Sequence, residues 1–116
     1  MNNLTSLKQK LRTFSEDRDW DQFHSPKNLS MALIVEVAEL VEHFQWLTEE
    51  QSRTLSEEKL GEVKEELADI LIYLVRLADT LDVDILRAAG EKIEKNRTRY
   101  PIEKAKGNAD KYTKFD

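Results

Sequence analysis

The sequence predicts an all-α protein, a four-helix bundle, and three observations carry that prediction. Hydrophobic residues make up 40% of the 116-residue chain and charged residues 35%, with only 3 Gly and 2 Pro. That mixture suits amphipathic helices joined by short connections and disfavours a turn-rich sheet. Apolar residues recur at three- and four-residue intervals through four segments, and polar stretches carrying cap residues or proline separate them. The length suffices for one compact core and not for two.

The first helix is expected from about Asn3 to Asp19, with Leu4, Leu7, Leu11 and Phe14 at helical spacing. A polar stretch with interleaved aromatics, Trp20 to Asn28, follows, and Pro26 forbids an unbroken helix through it. The second helix carries Leu29, Leu33, Val37, Leu40, Val41 and Phe44 on one face. After Trp46 the chain turns polar, and Thr48-x-x-Gln51 and Thr54-x-x-Glu57 both fit a capping box. The third helix holds the longest stripe: Leu60, Val63, Leu67, Ile70, Leu71, Leu74, Leu77 and Leu81. Asp82 or Asp84 can cap a fourth helix with Ile85, Leu86, Ala89 and Ile93, which Pro101 ends. The domain is expected over residues 1–107. The tail from Glu103 onward is polar and expected to be loosely held, and residues 108–116 lie outside the domain.

Within the third helix, Ile70-Leu71-Ile72-Tyr73-Leu74-Val75 is apolar on nearly every side. Ile72 and Val75 are expected to face away from the main stripe, and a helix apolar all round is buried all round. Either a second subunit or the first helix must cover that back face.

Composition also excludes. The chain contains no cysteine, which removes disulfides, thiolate metal sites and cysteine nucleophiles. A net charge of -5 disfavours a general nucleic-acid binder. No segment is apolar for long enough to span a bilayer, and the N-terminus lacks the pattern of a signal peptide, so a soluble, cytoplasmic protein is the expectation. P-loop, Rossmann and serine-triad signatures are missing.

Chemistry concentrates in two acidic pairs, Glu36-x-x-Glu39 and Glu66-x-x-Asp69. The i,i+3 spacing puts both carboxylates of a pair on one side of its helix. At roughly 100° per residue, Glu36 projects about 20° from Leu29 and Glu66 about 20° from Leu77. Glu39 and Asp69 project about 60° further out on the same side. Each helix thus sets one acid at the edge of its apolar stripe and another just beyond. One Glu-x-x-Glu is ordinarily a solvated face; two in matched phase can converge if the helices pack antiparallel. Crowded carboxylates repel unless a cation joins them, and all-oxygen ligation suits magnesium, with manganese next, better than zinc. Glu62 and Glu65 share the third helix and could lengthen the ligand list. A di-iron bundle would need Glu-x-x-His on two helices, and that pattern is missing.

Lys92 and Asn96 share a face of the fourth helix near Arg99-Tyr100-Pro101, offering a point charge beside an amide donor. Such a face can hold polyphosphate, although cations near a helix C-terminus are also favoured by the dipole alone. Trp20, Phe23, His24 and Trp46 lie in or beside loops, and Tyr73 follows Asp69 by one turn. They can form a slot for a flat base or simply fill the core.

Together, Glu36-x-x-Glu39, Glu66-x-x-Asp69 and Lys92-x-x-x-Asn96-x-x-Arg99-Tyr100-Pro101 resemble the MazG-like, all-α nucleoside triphosphate pyrophosphohydrolases. Arg18-Asp19-Trp20-Asp21-Gln22-Phe23-His24 looks most like the dCTP pyrophosphatase branch, and the resemblance runs from about Arg18 to Gly107. It implies that Glu36, Glu39, Glu66 and Asp69 hold Mg2+ (Mn2+ as the alternative) and that Lys92 and Asn96 contact the triphosphate. By the same resemblance Arg99 and Tyr100 belong to the substrate site, and Trp20, Phe23, His24, Trp46 and Tyr73 meet base and sugar. It further implies a homo-oligomer, dimer or tetramer, and water attack at the α-phosphorus; Glu36 or Glu39 is the expected base. A related enzyme for dUTP or phosphoribosyl-ATP, or a non-enzymatic helical interaction protein, stays open at this point.

Overall fold

A computed structural model describes residues 3–115, and every regular element among them is helical. Residues 3–83 form one compact unit and residues 84–115 a second. No helix of the described chain is long and apolar enough to cross a membrane.

In the first unit, α1 spans Leu4–Asp17, and the Asn3 side chain caps it by accepting from the Ser6 amide at 2.8 Å. Asp19 adopts a left-handed φ of 54°, and the Trp20 amide turns back to donate to the Ser15 carbonyl at 2.9 Å. A 3-10 turn, Asp21–Phe23, follows. Helix α2 covers Pro26–Glu42, with Ser25 as cap and Pro26 in the first turn, where a missing N–H costs nothing. Thr48 and Gln51 form the expected capping box at the start of the short α3, Glu49–Arg53. Thr54 does not form a second one: Ser56 accepts from the Lys59 amide and starts α4, Glu57–Thr80, two residues later than expected.

Helices α2 and α4 pack antiparallel. His43, just past the end of α2, lies against Lys59 and Glu62 early in α4, while Glu36 and Glu39 lie against Glu66 further along. Leu29, Val63, Val75 and Ala78 make the most deeply buried apolar core.

The orientation of α4 corrects the sequence reading. Val75, on the back face that a second subunit or the first helix was expected to cover, is 3% exposed, whereas Leu60, Leu67, Leu71 and Leu81 of the expected core stripe are exposed. Helix α1 accounts for the difference. Its Arg12 reaches Asp79 of α4 through two hydrogen bonds, 2.6 and 2.7 Å, and Asp79 stands one turn beyond Val75. The face with Ile72 and Val75 is therefore the one α1 covers. On α2 the expected face holds except at one position: Leu29 is buried, Leu33, Val37, Leu40 and Phe44 are half-buried, and Val41 is exposed.

The second unit holds α5, Ile85–Arg99, and α6, Ile102–Ala105, followed by a 3-10 turn, Tyr112–Lys114. Asp84, and not Asp82, caps α5. Asp82 instead takes a left-handed φ of 54° just after α4. The polar tail is more structured than its composition predicts. Tyr100 meets Tyr112 and Phe115 edge-on, with ring centroids 5.9 and 5.8 Å apart, so two aromatics anchor a segment that reads as solvated.

Candidate active site

Ser25 and Ser56 start α2 and α4, and the antiparallel packing of these helices brings acids from both into one seam. Glu36, Glu39 and Glu66 each offer one carboxylate oxygen, and the three oxygens lie within 4.8 Å of one another. Glu36 Oε2 and Glu66 Oε2 are buried with no hydrogen-bond partner among the described residues. The Glu36 carboxyl is pushed up from 4.5 to about 7. Burial is the main cause; a hydrogen bond with Glu39 and the charges of Glu39, Asp69 and Glu66 add to it. Asp69 thus acts on the seam electrostatically, though it is exposed and stands outside the trio of converging oxygens.

This arrangement carries an electrostatic conflict of its own making. Acceptor-only groups are crowded together, and two oxygens lack any donor. A hard divalent cation would supply what the site lacks, and an all-oxygen donor set fits magnesium or manganese.

His43 also borders the seam. Its Nε2 lies 3.7 Å from Glu66 Oε1, and its Nδ1 lies 3.4 Å from Lys59 Nζ and 3.7 Å from Glu62 Oε2. Testing the sequence for di-iron ligands does not reveal this role, although a spacing of four from Glu39 sets His43 on the same face.

The aromatic candidates separate into groups. Trp20 meets Phe14 edge-on at 5.7 Å and His24 at 6.2 Å, forming a small cluster at the 3-10 turn. Phe23 is exposed, Tyr73 half-buried, and Trp46 87% exposed, which removes Trp46 from any core role in this chain. Lys92 and Asn96 are exposed on α5. Arg99 and Tyr100 are engaged with their own C-terminal segment, the Arg99 guanidinium lying 4.8 Å above the Tyr112 ring. One structural group escapes the sequence reading entirely: Arg76, buried in α4, donates to Asp21 at the 3-10 turn.

Residues 31–115 match the MazG-like family. The chain belongs to the MazG-like family. Among curated relatives, dCTP pyrophosphatase 1 of Rattus norvegicus is 42% identical over 112 residues, covering 95% of this chain and 66% of that protein. The Homo sapiens dCTP pyrophosphatase 1 is 42% identical over 114 residues, covering 97% and 67% respectively. This MazG-like chain therefore spans about two thirds of the length of the curated relatives it matches. A solved pyrophosphatase structure from Archaeoglobus fulgidus aligns with a TM-score of 0.81 at 40% identity, covering 87% of this chain and 94% of that one. The all-α, MazG-like architecture expected from the sequence holds.

Proposed function

We propose that this chain hydrolyses nucleoside triphosphates, deoxynucleotides and dCTP first, to nucleoside monophosphate and pyrophosphate. One observation carries the reading: carboxylate oxygens of Glu36, Glu39 and Glu66 converge within 4.8 Å, and two buried carboxylate oxygens at that seam lack a donor. Relatives named dCTP pyrophosphatase 1 support the reaction class and the favoured substrate.

Glu36, Glu39, Glu66 and Asp69 are the residues that would hold magnesium, or manganese in its place. When bound, the ion neutralises phosphate oxygens and makes the phosphorus easier to attack. The remaining work belongs to the chain's own residues. A carboxylate of the Glu36–Glu39 pair orients the attacking water and takes its proton, and the leaving pyrophosphate departs in line. His43 sits beside Glu66, its Nε2 3.7 Å from Oε1. Trp20, Phe23, His24, Trp46 and Tyr73 are assigned to base and sugar, and Lys92 and Asn96 to the phosphates, with Arg99 and Tyr100 beside them.

The chain is further proposed to work as a homo-oligomer, dimer or tetramer. Support comes from the apolar side chains left exposed on α2 (Met31, Ile34, Val35) and on α4 (Leu60, Leu67, Leu71), too much for a lone small unit.

The deciding experiment is a panel of common NTPs and dNTPs with magnesium, scored by pyrophosphate release. Pyrophosphate from dCTP above the other nucleotides is the expected result. Release of orthophosphate alone, or no magnesium-dependent turnover of any nucleotide, would overturn the reading.

A further inference from the structure

Arg76 lies in the most apolar stretch of the chain, and its side chain is only 8% exposed. A buried guanidinium needs partners; its terminal nitrogens find them in two directions, while Nε is buried without one among the described residues. Asp79, one turn along α4, stands 3.8 Å from Nη1. From the 3-10 turn, Asp21 Oδ1 accepts from Nη2 at 3.1 Å, and His24 Nδ1 lies 3.3 Å from the same nitrogen. Asp79 is in turn held by Arg12 of α1, so cations and anions alternate from α1 through α4 to the turn. No other ionic link among the described residues joins the Trp20–His24 segment to α4.

The geometry at Nη2 fixes more than position. That nitrogen carries two hydrogens, enough for one bond to Asp21 and one to His24. Arginine has no acceptor and does not lose its proton. His24 Nδ1 must therefore be the accepting nitrogen, which leaves the proton of a neutral imidazole on Nε2. Nε2 is neither buried nor hydrogen-bonded within the described residues.

We propose that Arg76 is a positioning residue: it locks His24 as the Nε2–H tautomer and holds it with Asp21 against α4. The segment then presents one fixed hydrogen-bond donor to an acceptor on the substrate, such as a base carbonyl oxygen or ring nitrogen. Burial first, and the Arg76 charge second, lower the His24 pKa, so the neutral form that has a tautomer to choose is the prevalent one at neutral pH. A cationic imidazole would hold a proton on Nδ1 as well and would lose the Arg76 contact. The role of His24 toward a nucleotide rests on the function proposed above; the tautomer does not.

The test reads the two separately. Nitrogen-15 NMR of the His24 imidazole in the unmodified chain at neutral pH should show a protonated Nε2 and an unprotonated Nδ1. In Arg76→Met the two tautomers should mix, and Arg76→Lys should restore part of the bias. A proton found on Nδ1 in the unmodified chain overturns the proposal, and that measurement stands even if a variant fails to fold. An unchanged tautomer ratio in folded Arg76→Met also overturns it. In turnover, Arg76→Met should raise KM for the preferred nucleotide about three- to tenfold, the worth of one misplaced hydrogen bond, and leave kcat within about twofold. A fall in kcat at constant KM would instead mean that Arg76 acts through the acids of α4. If the unmodified chain turns over no nucleotide, the proposed function falls and the NMR result alone decides the role of Arg76.

Discussion

Replacing Glu36 with Gln separates a carboxylate kept for function from one kept for the fold. Glu36 holds its proton up to about pH 7 in the folded chain, against an ordinary 4.5. A folded-state value above the unfolded one means that folding favours the protonated carboxyl. The associated stability is fully present below about pH 4.5 and is lost as the pH rises through 7. Each tenfold change in proton affinity is worth about 1.4 kcal/mol, so the full penalty at pH 8 would be about 3 kcal/mol. Water around the exposed Asp69 and the half-exposed Glu39 screens it, so about 1–2 kcal/mol is the working expectation. Gln has the same shape, can donate toward Glu39, and carries no charge.

Without metal, in EDTA at pH 8, Glu36→Gln should therefore melt higher than the unmodified chain. For a domain of this size each kcal/mol is worth roughly 4 °C. At pH 4.5 the two should converge. Magnesium should raise the melting temperature of the unmodified chain at pH 8 and raise that of the variant far less, while pyrophosphate release falls about a hundredfold or more. Circular dichroism gives the melting curves, and the same protein stocks serve the activity assay. A variant that melts at or below the unmodified chain in EDTA at pH 8 would refute the crowding argument. Equal stabilisation of both proteins by magnesium would refute the metal assignment.

Asp79→Asn should cost about 2–3 kcal/mol at pH 7, because it weakens the bonds to Arg12 and leaves the buried Arg76 short of an anion. Arg12 holds the Asp79 carboxyl below its ordinary 3.8, so this stability is present above that value and is lost as the pH falls through the lowered one. Urea midpoints should show the gap at pH 7 and a narrower gap at pH 3; a gap of equal size at both would contradict it. Leu67→Glu combined with Leu71→Glu should lower the mass seen by light scattering, and a single-chain mass of 13.6 kDa for the unmodified protein would end the assembly proposal. Trp46→Ala should raise KM for dCTP more than for dATP, by roughly five- to a hundredfold if a base stacks on it at about 1–3 kcal/mol. Lys92→Ala should weaken all triphosphates alike, and a base-dependent effect would move Lys92 away from the phosphates.

The helices, most of their caps and the phases of Glu36, Glu39 and Glu66 were legible because each depends on local periodicity. Convergence of the three also needs the antiparallel packing of α2 and α4, and it leaves Asp69 outside. A capping side chain acts within three residues, and an acid's phase against its own apolar stripe follows from the helical turn. The side of α4 that meets α1 was not legible for the opposite reason. Leu60, Leu67 and Leu71 on one flank and Ile72 and Val75 on another are equally apolar, and hydrophobicity has no direction with which to choose between them. A directional contact makes the choice: Arg12 to Asp79 joins residues 67 apart in sequence, a pairing that no spacing within one helix reveals.

The same distinction applies to the Trp20–His24 segment and explains why the sequence conceals the role of Arg76. A cation inside Ile70–Ala78 is an anomaly in the sequence, but its partners Asp21 and His24 lie 55 and 52 residues away. Burial of an unpaired guanidinium would be prohibitive, and Asp79 on the same helix, 3.8 Å from Nη1 and already held by Arg12, supplies only part of the pairing. The second anion, Asp21, comes from the turn that carries Trp20 and Phe23. An apolar residue at position 76 would pack more cheaply but would have no means of fixing the orientation of His24. Retaining a buried charge at that point exchanges packing energy for a defined donor, and the imidazole tautomer is the observable in which that exchange appears.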